Sequence, residues 1–282
     1  MLNEQQLEDL CIGWFQQTGW QFAHGPDIAP EGDRPERADF RQVVLRDRLL
    51  AALARINPQI PAAALEQAAH TLQTVSEPRL VVRNRAVHRL LLGGVDVSFA
   101  KVDGEGKTSD LVSLIDFVQP SNNELLVVNQ FTVAGTKQPR RPDLVAFING
   151  LPLAVIELKN PANEQTDIWN AFQPVATYKD EAADLFNCNA ALVISDGFTA
   201  RVGSLTADAE RMLPWRTVPT RMTARACGME LETLVRGFFK PELFLDYVRH
   251  FVLFESRTAT PSSRRSRATT SSTPCARRCG PR

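Results

Sequence analysis

The sequence predicts an α/β fold in which a mixed sheet is flanked by helices and preceded by a helical segment. Three observations carry that expectation. Apolar residues recur at three- and four-residue spacing through the first 75 positions, the spacing turns to alternation and short apolar runs from Leu91, and a strand, helix, strand order follows between Leu153 and Ser195. With 282 residues, 44% hydrophobic and 23% charged, the chain suits one large core or two modest ones and excludes collagenous, coiled-coil and wholly disordered classes.

The elements follow in order. Leu7, Leu10, Cys11, Trp14 and Phe15 put one apolar face on a helix over Glu4 to Gln17, which Gly19 ends. Gly25, Pro26, Pro30 and Gly32 mark a loop, and helical spacing returns over Phe40 to Ile56. Pro61 opens a third helix, Ala62 to Val75. Val95, Val97 and Phe99 share a strand face, Asp103 to Gly106 turns, and Leu111 to Val118 returns as its partner. Further strands are expected at Leu125 to Phe131, Asp143 to Ile148 and Leu153 to Leu158, the last two joined across Asn149-Gly150. A helix over Asp167 to Leu185, a buried strand at Ala190 to Ser195, and helices over Leu231 to Phe239 and Pro241 to Phe254 complete the body.

Residues 256–282 differ in kind. They hold seven arginines and eleven serines or threonines with no acid and no Leu, Ile, Val, Phe or Met, so they cannot join a core and are expected to be a disordered basic tail. The formal net charge of zero therefore hides an acidic body, with 25 basic against 32 acidic side chains in residues 1–255. Nucleic-acid contact then needs a local patch; Arg79, Arg83, Arg85, His88 and Arg89, and Lys137, Arg140 and Arg141, are the candidates. The longest apolar run, 151–156, is far short of the roughly 18 residues that cross a bilayer, and the first 20 residues lack a basic stretch ahead of an apolar one. The expectation is a soluble, cytoplasmic protein without membrane contact. Five scattered cysteines fit a reducing compartment, and neither they nor His24, His70, His88 and His250 show metal-ligand spacing. Gly104-Glu-Gly-Lys-Thr108 lacks the first glycine of a phosphate-binding loop, Lys101 standing there, and is read as a hairpin turn.

The chemistry concentrates in 140–159. Asp143, Glu157 and Lys159 are the charged groups in strands that otherwise read as buried, and such charges need a reason. A hairpin centred on Gly150 puts Asp143 opposite Glu157 with both side chains on one face, and Lys159 points the same way. Two adjacent carboxylates call for a cation, and Mg²⁺, which takes one or two carboxylates with water and phosphate oxygens, answers that demand. Such a site would hydrolyse a phosphodiester, with Lys159 orienting water or offsetting charge on the phosphate. The same residues admit a second reading, an ion cluster at a sheet edge in which Glu157 pairs with Lys159 or Arg141.

Asp143, Glu157 and Lys159 in this frame resemble the catalytic core of the PD-(D/E)xK nucleases, a restriction-endonuclease-like fold. Asn129-Gln-Phe-Thr-Val133, Arg140-Arg-Pro-Asp143, Asn149-Gly-Leu-Pro-Leu153, Ile156-Glu-Leu-Lys-Asn-Pro161 and Ser195-Asp-Gly197 resemble, more narrowly, the nuclease region at the N-terminus of the R subunit of type I restriction-modification enzymes. The likeness covers 1–255, with sheet and catalytic core at about 91–200. It implies an endonuclease acting on double-stranded DNA with Mg²⁺ bound by Asp143 and Glu157, Lys159 completing the catalytic set and Arg140 and Arg141 near the DNA. It also implies partnership with modification and specificity subunits and an ATP-driven motor whose site lies outside this chain. Glu8 matches an acidic position that some such nucleases add to the metal site.

The pattern departs from the family twice. The family carries glutamine four residues before a tyrosine on the helix after the core; here Pro174 stands four before Tyr178 and Gln173 one place earlier, and proline is expected to kink that helix or move its start. Members also continue into a motor where this chain turns into the basic tail, which is therefore read as a frameshifted or truncated ending. A truncated remnant that docks to the other subunits without cutting, and a stand-alone repair nuclease, are the alternatives.

Overall fold

The computed structural model describes residues 3–100, 106–159, 168–218 and 228–255. The basic tail, and the Asp103 to Glu105 part of the expected turn, lie outside the described residues.

A six-stranded mixed sheet carries the body, in the order β1 (Gln21–His24), β4 (Leu125–Asn129), β5 (Leu144–Ile148), β6 (Leu151–Leu158), β7 (Ala191–Ser195) and β8 (Ala200–Gly203). β4, β5 and β6 run antiparallel as consecutive neighbours, whereas β1 lies parallel to β4 and β7 parallel to β6. β2 (Val95–Ala100) and β3 (Lys107–Val112) form a separate hairpin. The four central strands are buried throughout, so their apolar runs serve two faces at once. Leu125, Val127, Leu144, Ala146 and Ile148 join one core, and Leu126, Val128, Val145 and Phe147 the other.

The first core is closed by α1 (Glu4–Gln17), α2 (Arg46–Ile56), α3 (Ala62–Gln73), α4 (Leu80–Gly93), α6 (Glu230–Phe238) and α7 (Pro241–His250). α1 begins in a capping box, with Asn3 and Gln6 each bonding the other's backbone N–H, and buries Leu7, Cys11, Trp14 and Phe15. Phe15 packs on Trp20 and Phe239, and the Trp20 indole donates to the Phe239 carbonyl over 2.8 Å, tying the segment after α1 to the end of α6. The second core is covered by α5 (Phe172–Glu181), flanked by 3-10 turns at Ile168–Ala171 and Ala183–Phe186.

Several sequence expectations need correction. The helix expected over Phe40 to Ile56 begins at Arg46, because the Leu45 N–H is committed to the Gly150 carbonyl over 2.9 Å. The strand expected at Leu111 to Val118 is β3, four residues earlier, and Leu114 and Ile115 enter the core from the following loop. Helix α4 was not anticipated, because polar Asn84 and His88 interrupt its buried stripe of Val87 and Leu91. Short β1 and β8 at the sheet edges were also missed. The helix over Asp167 to Leu185 is divided, and its α-helical part starts at Phe172. Pro174 thus falls in the first turn, where backbone N–H groups have no intrahelical acceptor, and it moves the start without kinking the helix.

Candidate active site

The β5–β6 hairpin builds the site. Its two-residue turn, Asn149-Gly150, has positive φ at both positions, 53° and 75°, as a type I′ turn requires. The turn is buried: Asn149 accepts from the Glu124 N–H and donates to the Leu114 carbonyl and Asn123 Oδ1, all within 3.0 Å. A bulge follows. Ile148 pairs with Leu151 and Phe147 with Pro152, but Ala146 pairs with Ala154, leaving Leu153 as the extra residue on β6. Leu153 and Ala154 consequently both face the first core, and the alternation beyond them is inverted. Val155, and with it Glu157, faces the second core beneath α5.

Leu144 pairs with Ile156, so Asp143, at the entrance to β5, comes opposite Glu157. Asp143 Oδ2 accepts from the Leu158 N–H over 2.6 Å, pinning its carboxylate to the neighbouring strand. Glu157 is 3% exposed; its Oε1 accepts from Lys159 Nζ at 3.0 Å and from the Tyr178 hydroxyl at 3.5 Å. Its Oε2 is buried without a hydrogen-bond partner among the described residues. The structure therefore brings Asp143, Glu157, Lys159 and Tyr178 together.

Electrostatics follow from burial. Desolvation pushes the Asp143 pKa up against the opposing effects of the Leu158 N–H and the Lys159 ammonium, and Glu4 and Glu8 push the same way. Desolvation also raises Glu157, with Asp143 adding to it and Lys159 and Tyr178 opposing. Burial works against the Lys159 ammonium, yet Glu157 and Asp143 outweigh it and raise its pKa. Desolvation and the two carboxylates likewise raise the Tyr178 phenol. A site in which each acid opposes the other's ionisation and one oxygen has no donor suits a hard cation. Among the described residues no three His, Cys, Asp or Glu side chains form a metal-holding group; the two carboxylates that meet here are a number compatible with Mg²⁺ and its retained waters.

Glu8 departs from the solvated acid that its place in the first turns of a helix suggests. It is 3% exposed, and both carboxylate oxygens are taken: Oε1 accepts from Asn129 Nδ2 at 2.8 Å and Oε2 from Gln130 Nε2 at 2.6 Å. It does not join Asp143 and Glu157 in a three-acid metal group. Asn129 and Gln130, which open the Asn129-Gln-Phe-Thr-Val133 stretch, are not among the expected site residues, yet they hold Glu8. Gln130 has φ 51°, a left-handed conformation costing a non-glycine residue about 1 kcal/mol, and its N–H donates to the Asp143 carbonyl over 2.9 Å.

The basic candidates divide. Arg140 is not a free DNA contact: its guanidinium donates through Nε and a terminal nitrogen to Glu181 Oε2, with Nε at 2.8 Å, and its backbone bridges to Val133. Arg141 is exposed immediately before Pro142 and Asp143. In the distant cluster, Arg83 pairs with Asp184 at 3.3 Å and His88 is buried against Phe254. His24 Nδ1 lies 2.9 Å from Asn129 Oδ1, a contact within the Glu8 network.

No helix among the described residues is long and apolar enough to cross a membrane. Residues 1–211 match the family model described as type I restriction enzyme R protein N terminus. The chain is 41% identical over 258 residues to the type I restriction enzyme HindI endonuclease subunit of Haemophilus influenzae, covering 90% of this chain and 24% of that protein. It is 30% identical over 276 residues to the putative type I restriction enzyme MjaIXP endonuclease subunit of Methanocaldococcus jannaschii, covering 91% of this chain and 26% of that protein. The chain thus spans about a quarter of the length of these relatives. Six mixed strands flanked by helices, an N-terminal helix and a carboxylate hairpin agree with a restriction-endonuclease-like domain, and the chain belongs to the type I restriction enzyme R protein family, matching its N-terminal region.

Proposed function

We propose that this chain is the DNA-cleaving portion of a type I restriction enzyme R subunit and hydrolyses phosphodiester bonds of double-stranded DNA in a Mg²⁺-dependent reaction. The observation that carries the reading is the meeting of Asp143 and Glu157 on one buried sheet face, with Glu157 Oε2 lacking a donor among the described residues. A purely structural ion cluster would not require two acids to face each other, and it would gain by giving each buried carboxylate oxygen a donor.

Asp143 and Glu157 would hold the metal, Asp143 through the oxygen not committed to Leu158. Bound Mg²⁺ supplies positive charge that polarises a phosphoryl oxygen and lowers the pKa of water. Hydrolysis forms a bond from water oxygen to phosphorus and breaks the bond to one ester oxygen, which departs after gaining a proton. Lys159, held at 3.0 Å from Glu157, orients the attacking water and offsets charge developing on the phosphate. Tyr178 steadies Glu157 from α5. Arg141, exposed beside the site, is the better-placed phosphate contact. Modification and specificity subunits as partners, and ATP-driven translocation by a motor elsewhere in the subunit, belong to the same proposal.

The test is supercoiled plasmid cleavage in Mg²⁺, by the chain alone and with modification and specificity subunits, comparing wild type with Asp143→Ala and Lys159→Ala. Cutting by wild type and loss in both variants is expected. Equal nicking by all three overturns the assignment.

A further inference from the structure

The first helix reaches Asp143 through an unbroken series of contacts. Asn129 and Gln130, at the end of β4, present their side-chain amides to the two oxygens of Glu8, at 2.8 and 2.6 Å. The Gln130 N–H then donates to the Asp143 carbonyl over 2.9 Å. The turn is closed from its other side as well. Gly25 donates its N–H to the Asn129 carbonyl over 2.9 Å, and a Cβ at Gly25 would collide with the backbone of Asn129 and Gln130. Asn129 Oδ1, an oxygen that only accepts, lies 2.9 Å from His24 Nδ1 and 3.3 Å from the Gly25 N–H, which fixes the amide so that its nitrogen faces Glu8.

We infer that Glu8 is a positioning residue: its carboxylate brackets the Asn129 and Gln130 amides, locks the left-handed turn at Gln130, and so sets where Asp143 stands relative to Glu157. The inference rests on the reading of Asp143 and Glu157 as the metal pair. It assigns Glu8 a role distinct from metal ligation: the two amides its oxygens accept aim the carboxylate at the Asn129–Gln130 turn. A left-handed glutamine is held only if its surroundings over-determine it, and the bracket supplies the side-chain half of that constraint.

The bracket has a polarity that can be reversed. Glu8→Gln leaves position 8 one oxygen, which Asn129 takes, so the Gln130 amide loses its charged acceptor and must turn over to be bonded, and Gln130→Glu sets two carboxylates together. Glu8→Gln combined with Gln130→Glu restores one amide and one carboxylate with the bond running the other way, while the remaining oxygen at position 8 still accepts from Asn129. The readouts are Mg²⁺ affinity of the full chain by calorimetry and hydrogen exchange of the residue 130 amide by NMR. Each single variant is expected to weaken Mg²⁺ about 10- to 100-fold and to speed exchange at residue 130, and the double variant to recover both. Singles that change neither quantity overturn the inference. So does a double variant that fails to fold, or that folds with wild-type circular dichroism and melting temperature yet recovers neither quantity. Asp143→Ala separates the two readings: if it binds Mg²⁺ as wild type does, the metal pair fails, while exchange at residue 130 still judges the bracket.

Discussion

Arg140 and Glu181 join the segment that leads into Asp143 to the last turn of α5, the helix that carries Tyr178. The guanidinium donates twice to one carboxylate oxygen, and the Thr136 N–H donates to the Glu181 carbonyl over 2.8 Å. The strand entrance and the helix over the site are therefore bonded to each other through both side chain and backbone. Arg140→Ala is expected to lower kcat for DNA cleavage about 10- to 100-fold through misplaced catalytic groups, with KM and its salt dependence little changed. A raised KM with a smaller salt slope and unchanged kcat would instead make Arg140 a phosphate contact.

The two raised carboxylates make stability depend on pH in a direction opposite to the usual acid case. Folded, Asp143 and Glu157 hold their protons more tightly than unfolded because burial and mutual repulsion penalise ionisation. Their protonated forms favour the native state, so stability is lost as pH rises from the unfolded carboxylate range, about 4, through the raised native values. In the presence of a chelator, Glu157→Gln is expected to stabilise the protein at pH 8 by about 1 kcal/mol or more and to have little effect near pH 4. Thermal melts across that range check it, and destabilisation at pH 8 would contradict it.

His88 contributes with the reverse sign. Burial lowers its pKa, and its Nε2 has no hydrogen-bond partner among the described residues. The native state holds the ring neutral, so its share of stability is present above the unfolded value of about 6.5 and is lost as pH falls below it. His88→Phe keeps the contact with Phe254 and is expected to remove that loss, so melting temperatures of variant and wild type diverge only on the acid side.

Gly150 is irreplaceable for two independent reasons. Its φ is 75°, and a Cβ there would meet the Leu45 carbonyl oxygen. Gly150→Ala is expected to cost about 1 to 3 kcal/mol in urea unfolding and, by shifting the hairpin, to reduce cleavage as well. A variant as stable as wild type would show that the turn tolerates rearrangement.

Much of the fold was legible because strong local patterns coincide with the elements. The α1 stripe of Leu7, Cys11, Trp14 and Phe15, the apolar runs of β4 to β7, and the Asn149-Gly150 turn announce themselves. Helix α4 was hidden because Asn84 is buried for its bonds to the Phe186 and Asn189 carbonyls, at 3.0 and 2.8 Å, so a polar residue occupies a core position. Edge strand β1 is too short and too exposed to leave a pattern.

That Asp143, Glu157 and Lys159 meet was legible in the sequence, and how they are brought together less so. Symmetry about Gly150 places Asp143 opposite Glu157, but the turn is a two-residue Asn149-Gly150 loop, which by itself would have paired Asp143 with Ile156. The bulge at Leu153 inserts the extra residue that restores the match and turns Glu157 toward α5. Sequence alone determined which side chains are charged within apolar strands and where the chain reverses, since composition and turn chemistry are local properties. Only the tertiary structure decided that Glu8 is bound by Asn129 and Gln130, that Arg140 is spent on Glu181, and that the two acids share a face. Those outcomes depend on register and on partners more than 100, about 40 and 14 residues away, and no local preference encodes them.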